Sequence, residues 1–251
     1  MAYTNSFKSL DWPSLLPGYY GPDPYDINWI MPLHEETLES DRIKLTPFIP
    51  SLHAQEYAEQ RAAHPDLHRW FPVDLSNLDQ ILTKVEVLMR RQPMSIFFAI
   101  IDKARGGVLA GVIGLINTWP ANLSTEIAWV LVFPAFRHTY VATNAIGLLL
   151  RYCLEPPSAP QPGLGFRRVQ WMAHTENLPS CATAKRMGFK EEGVLRWTWV
   201  LLDGMEGNGI PVRKEDPEGS RPGRHSVAFS LCADDWENGG REHVQRLIDR
   251  Q

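Results

Sequence analysis

One segment constrains the fold more than any other. Residues 165–196 read GFRRVQWMAHTENLPSCATAKRMGFKEEGVLR. The run Arg168–Met172 alternates as a strand does, and a polar loop carrying Asn177 and Ser180 follows. Leu178–Met187 reads as a short helix that the Gly188-Phe189 pair ends, and Gly193–Leu201 reads as a second strand. Asn or Ser at the start of such a helix is a normal cap, because its side-chain oxygen satisfies an orphan backbone N–H. A helix between two strands must lie on a sheet, so the chain is expected to be α/β.

The flanking sequence extends that reading. A strand is expected over Ile43–Phe48, then a helix capped by Ser51 and running to Ala63. A second helix is expected from Asn77 to Arg90, with Ile81, Val85 and Leu88 on one face. A meander follows: Ser95–Asp102, Val108–Asn117 and Thr125–Phe133. The helix Thr139–Leu154 buries Val141, Ala145, Leu148, Leu149 and Tyr152, and residues 155–163 hold four prolines and form a loop. A last strand, His225–Cys232, precedes a helix from Asp235 to Arg250. The expected architecture is a mixed central sheet flanked by helices.

Composition sets the remaining bounds. With 251 residues, 44% of them hydrophobic, the chain suits one large domain with extensions. Residues 1–41 are rich in Pro, Gly and aromatics and read as an ordered N-terminal extension wrapping the domain of residues 42–251, near the substrate mouth or a subunit interface such as a homodimer's. The stretch 203–224 reads as an insert and carries Gly and Pro with mixed charge; we expect it, with Tyr19, Tyr20 and Trp29, to cover the acceptor pocket. A formal charge of -4 gives no electrostatic case for nucleic acid. No apolar run suits a membrane span, the start lacks a secretory pattern, and three cysteines at no disulfide or metal spacing suit reduced thiols in the cytoplasm. His64 and His68 are separated by Pro65, which breaks a helical ligand pair, so no metal is expected.

The spacing of Asn177, Ser180 and Gly188-Phe189, with FPAFRHTYVATNA at 133–145 upstream, resembles the GNAT acetyltransferases, specifically their RimJ/RimL-like branch. The resemblance runs from about Ile43 to Trp236 and is densest between Thr125 and Arg196. It implies the GNAT fold with a splayed strand pair, acetyl-CoA as co-substrate, and transfer to a primary amine by direct attack in a ternary complex. The implied acceptor is a small-molecule amine; a protein N-terminus of the ribosomal-protein type and a non-catalytic acyl-CoA-binding role are the alternatives.

The resemblance also assigns residues. Ala128, Trp129, Val130, Leu131 and Val132 would pair with the pantetheine arm through their backbone, with an N–H near Trp129 or Val130 as oxyanion donor. Arg137, His138, Thr139, Tyr140, Val141, Ala142 and Thr143 would cradle the diphosphate at a helix N-terminus, where unpaired amides and the helix dipole favour anions. Most members carry glycines where this chain has His138 and Tyr140, while the branch form Thr-x-x-Ala-Thr is kept by Thr139, Ala142 and Thr143. Asn177 would meet the pantetheine or phosphate arm. Glu126 is the implied base, acting on the ammonium through water. The family's usual tyrosine acid is replaced by Ala184, so Ser180, near the sulfur, stands in as proton donor.

Overall fold

The computed structural model describes residues 17–250. Residues 1–16, part of the proposed extension, lie outside the described residues. Seven strands form one sheet in the order β1-β2-β3-β4-β5-β7-β6. They are β1 (Ile43–Pro47), β2 (Ile96–Asp102), β3 (Val108–Trp119), β4 (Ser124–Val132), β5 (Arg168–His174), β6 (Lys190–Val200) and β7 (Gly223–Cys232). Every neighbouring pair is antiparallel except β4 and β5. That parallel pair needs a crossover, which α3 (Tyr140–Leu154) provides.

Helices cover both faces. On one face α3, α4 (Leu178–Arg186) and α6 (Arg241–Asp249) pack on Ile127, Val169, Trp171, Phe229 and Leu231. All five residues expected on the buried stripe of α3 are buried. Gly147 lets α6 approach, since a Cβ there would sit 2.6 Å from Ile248. On the other face α1 (Pro50–Ala63) and α2 (Leu78–Lys84) enclose Phe48, Tyr57, Phe97, Val112, Leu131 and Phe133.

Several boundaries differ from expectation. Pro50, not a Ser51 cap, opens α1: its missing N–H costs nothing at a helix start, and Ile49 in the cap position makes no side-chain bond. Asn77 does cap α2, accepting from the amide of Gln80. From Val85 to Arg90 the helix widens to π geometry, so Met89 rather than Leu88 is buried with Ile81 and Val85. The wide turn lets Glu86, itself buried, accept from both Arg90 and Arg91. The C-terminal helix starts early, with α5 (Ala233–Asp235), and kinks at Asn238 and Gly239 before α6. No helix among the described residues is long and apolar enough to cross a membrane.

Candidate active site

The sheet opens where β4 and β5 part. Their pairing runs only from Ser124↔Arg168 to Ile127↔Trp171. Beyond it, β5 continues against β7 as far as His174↔Ser226, while β4 continues against β3 as far as Gly111↔Val132. Residues 128–132 of β4 therefore keep one partner strand and lose the other, as the resemblance implied. Within this stretch the β3 register jumps from Gly114↔Ala128 to Val112↔Leu131, leaving an extra residue in β4. Trp129 absorbs the bulge with a left-handed φ of 57°. The bulge takes Trp129 and Val130 out of the regular ladder where β5 has already diverged. Gly111 opposite is required by close approach, since a Cβ there would lie 2.2 Å from the Leu131 carbonyl.

Glu126 pairs with Gln170, one residue before the end of the paired region, and is only 9% exposed. Asn117 Nδ2 donates to its Oε2 at 3.1 Å. Burial raises its pKa above the usual carboxylate range, against the lowering effects of the Asn117 bond and of the Arg224 charge. Burial of this kind makes the carboxylate a stronger base than an exposed one.

Two groups that the sequence reading left out of the site lie on the same face. His174 ends β5 opposite Ser226 of β7, and Arg224 stands two residues before Ser226. They are 2% and 7% exposed. His174 Nδ1 accepts from the Glu176 amide at 3.0 Å, so the neutral ring carries its proton on Nε2, which has no hydrogen-bond partner among the described residues. The Trp70 ring covers the imidazole at 4.9 Å between centroids. Arg224 Nη1 donates to the Trp70 carbonyl at 3.2 Å, and Nε donates to Ser226 Oγ at 3.1 Å. Burial lowers the His174 pKa, with the Arg224 charge adding to the effect; burial also lowers that of Arg224 to about 10, which leaves it charged near neutrality. The alternation in Gly-Arg-His-Ser, which places Arg224 and Ser226 on one face, was the legible signal; the approach of Trp70 from a distant segment left none.

On the opposite face lie the residues expected to meet the coenzyme. Thr139 caps α3, accepting from the Val141 amide at 3.3 Å and donating to the Phe136 carbonyl at 2.6 Å. His138 takes φ 59°, the left-handed conformation that glycine adopts without cost. The Arg137 side chain is exposed, with Nε donating to the Val132 carbonyl at 3.4 Å. The Tyr140 side chain turns aside, its hydroxyl 2.8 and 2.9 Å from the two carboxylate oxygens of the fully buried Asp102. Val141 is a core residue, Ala142 is half-buried, and Thr143 Oγ1 lies 3.5 Å from Arg186 of α4.

Asn177 caps α4, accepting from the Ser180 amide at 3.2 Å. Ser180 Oγ accepts from the indole of Trp171 at 3.0 Å, at the last residue pair of β4 and β5, which leaves the hydroxyl proton free to be donated. Ala184 is fully buried in the core. Among the described residues, Cys232, Asp234 and Asp235 form a group of potential metal donors at the far end of β7, where Asp235 is already bound to Lys190.

The insert folds back toward this acceptor face. Asn208 is held by the Gly223 carbonyl and by His225, and Glu206 pairs with Arg69. Between the insert and residues 61–75 lies a cavity of about 440 Å³ lined by Arg61, His68, Leu75, Leu202, Met205 and Glu206, among others. Residues 17–34 lie elsewhere, with Gly18 bonded to Asp79, Ile30 to Pro93, and Pro32 to Tyr152.

These features match known proteins. No curated protein sequence matches the chain. The structure is similar to a GCN5-related N-acetyltransferase from Brucella melitensis, at 26% identity over 84% of each chain with a TM-score of 0.65. It is also similar to Mycobacterium smegmatis RimJ in complex with CoA-disulfide, at 20% identity over 81% of this chain and 88% of that one, with a TM-score of 0.59. The spermidine/spermine N-acetyltransferase SpeG from Vibrio cholerae shares the fold at 14% identity, over 79% of this chain and 98% of that one, with a TM-score of 0.54. The model of the acetyltransferase (GNAT) domain matches residues 42–190, more than half the chain, and the protein belongs to that family of acetyltransferases.

Proposed function

We propose that the protein uses acetyl-CoA to acetylate a primary amine, by direct attack in a ternary complex lodged in the split between β4 and β5. The observation that carries this reading is the buried Glu126 carboxyl at the point where the strands part, beside the bulged amides of Trp129 and Val130. Acetyl-CoA supplies the acetyl group as a thioester. The chain's fit to it rests on the capped N-terminus of α3, the exposed Arg137, and the left-handed His138.

The residues divide the work by face. Glu126 takes the proton that the ammonium must lose before its nitrogen can attack. The Trp129 or Val130 amide meets the negative charge that develops on the carbonyl oxygen. Ser180, whose hydroxyl accepts from Trp171, gives its proton to the departing sulfur.

The acceptor enters from the opposite face to α3 and α4, where the insert and Trp70 narrow the approach, and a small molecule suits that space. Thermal shift with acetyl-CoA, followed by free-thiol release and mass spectrometry across an amine panel, tests the reading. Binding and acetylation of a small amine support it. Acetylation of peptides alone moves the acceptor to a protein N-terminus, and binding without turnover sinks the enzymatic reading for this chain.

A further inference from the structure

The acceptor side of the split carries a buried cation that, among the described residues, has no ion-pair partner in contact with it. Arg224 is inaccessible to water for all but 7% of its surface, yet both its hydrogen bonds go to neutral oxygens, Ser226 Oγ and the Trp70 carbonyl. Among the described residues it makes no ion pair; Glu126 is near enough for each charge to influence the other, but not in contact. Burying a guanidinium without a counter-charge in contact is unfavourable unless something else at the site compensates it. An N–H on His174 Nε2, also buried, lacks a hydrogen-bond partner among the described residues. The Glu206 carbonyl lies close enough to His174 to affect its titration, but outside hydrogen-bond geometry. The Glu206 side chain is held by an exposed ion pair with Arg69, a weak fastening for a residue lying beside His174.

Cross-strand pairing sets the two donors together: His174 faces Ser226, and Arg224 reaches back to the same Ser226 side chain. Both also touch Trp70. A guanidinium and an imidazole N–H, with a carboxylate base on the same face and near enough to feel the guanidinium charge, are complementary to a molecule with an anion at one end and an ammonium at the other. The same guanidinium repels a polyamine.

We propose that Arg224 and His174 bind an anionic group of the acceptor, a carboxylate or a phosphate, and that the acceptor is an amine carrying that group a short spacer away, as in an amino acid. This rests on the acetyltransferase reading above and names its substrate class. Glu126 receives the ammonium end, and Arg224 fixes its distance from the anion.

The test uses the full chain with acetyl-CoA and matched acceptors: the common amino acids, their primary amides, the phosphomonoester ethanolamine phosphate against ethanolamine, spermidine, and a serine-initiated hexapeptide. We expect at least one anionic acceptor to exceed its neutral counterpart in kcat/KM by about 10-fold or more, as for a site built to pair a particular polar group. The amino acid and phosphate arms tell a carboxylate site from a phosphate site. Arg224→Gln should reduce the advantage to within about 3-fold, Arg224→Lys should keep part of it, and acetyl-CoA affinity should hold in both. If Arg224→Gln does not fold, the Lys variant and His174→Ala still compare the matched pairs. No advantage of the anionic acceptor over its neutral counterpart in either arm, or spermidine or the hexapeptide as best substrate, would overturn this inference while leaving the acetyltransferase standing. Acetyl-CoA binding with no amine acetylated would overturn both.

Discussion

Asn117 reaches Glu126 because its own backbone is left-handed. Its φ is 50°, in a bulge where β3 advances three residues, from Ile116 to Trp119, while β4 retreats two, from Glu126 to Ser124. Asn tolerates this conformation better than most residues, and here it turns an amide donor onto the buried carboxylate at 3.1 Å. Beside it, Thr118 and Thr125 share a buried hydrogen bond of 2.7 Å that locks the bulge. Asn117 is thus a positioning residue for Glu126.

The pairing yields a signed pH prediction. Burial raises the Glu126 pKa and the Asn117 bond lowers it. Asn117→Ala should therefore raise it further and move the acid limb of the pH–rate profile to higher pH. Glu126→Gln should abolish that limb and cut turnover by about 10²–10⁴, with acetyl-CoA affinity little changed. Near-normal turnover in Glu126→Gln at neutral pH would return Glu126 to a structural role.

Stability should move the other way. A carboxyl whose folded pKa lies above its unfolded value destabilises the fold as pH rises from the unfolded toward the folded pKa, and the cost persists above both. Glu126→Gln removes that ionisation. Its melting temperature relative to wild type should thus be higher at pH 8 than at pH 4, as calorimetry at the two pH values would show.

Tyr140 separates a fold role from a ligand role. Its hydroxyl bonds the buried Asp102, so Tyr140→Phe removes a partner of that carboxylate and should cost about 1–3 kcal/mol. For a domain of this size that is a fall in melting temperature of several degrees, at about 2–4 °C per kcal/mol. Acetyl-CoA affinity measured by calorimetry should stay within a few-fold of wild type. A large loss of affinity with unchanged stability would place the phenol at the diphosphate.

Arg137 carries the opposite expectation. Exposed beside the N-terminus of α3, it should matter to the coenzyme and little to the fold. Arg137→Ala should weaken acetyl-CoA roughly 10-fold and a pantetheine fragment lacking the diphosphate much less. Equal losses for both ligands would move the cradle elsewhere.

The insert can be divided by deletion. Met205 and Glu206 line the cavity, Glu206 is tied to Arg69 and Asn208 to Gly223 and His225, whereas residues 210–219 form the outer turn. Removing the outer turn should leave the amine KM alone. Replacing Met205–Asn208 by glycines should raise that KM or change the preferred amine, without affecting acetyl-CoA binding. Identical steady-state kinetics for both variants would reduce the insert to tolerated surface.

Local chemistry made much of the fold legible. The helix caps at Asn77, Thr139 and Asn177, the buried stripe of α3, and the Gly188 turn after α4 each depend on neighbours a few residues away, and sequence alone determined them. The family followed from motif spacing on the same short scale. The π turn at Val85–Arg90 was not legible, because it is a choice between backbone patterns of similar energy that burial of Glu86 with two arginines accompanies. The acceptor side was legible only in part. The resemblance picks out Glu126, but its Asn117 partner and its burial appear only once β3 and β4 pair, and the burial of Arg224 appears only once Trp70 closes over it from 154 residues away. Desolvation and partner geometry are properties of segments brought together, so the tertiary structure alone decided the burial and the partners of the charged residues that face the split.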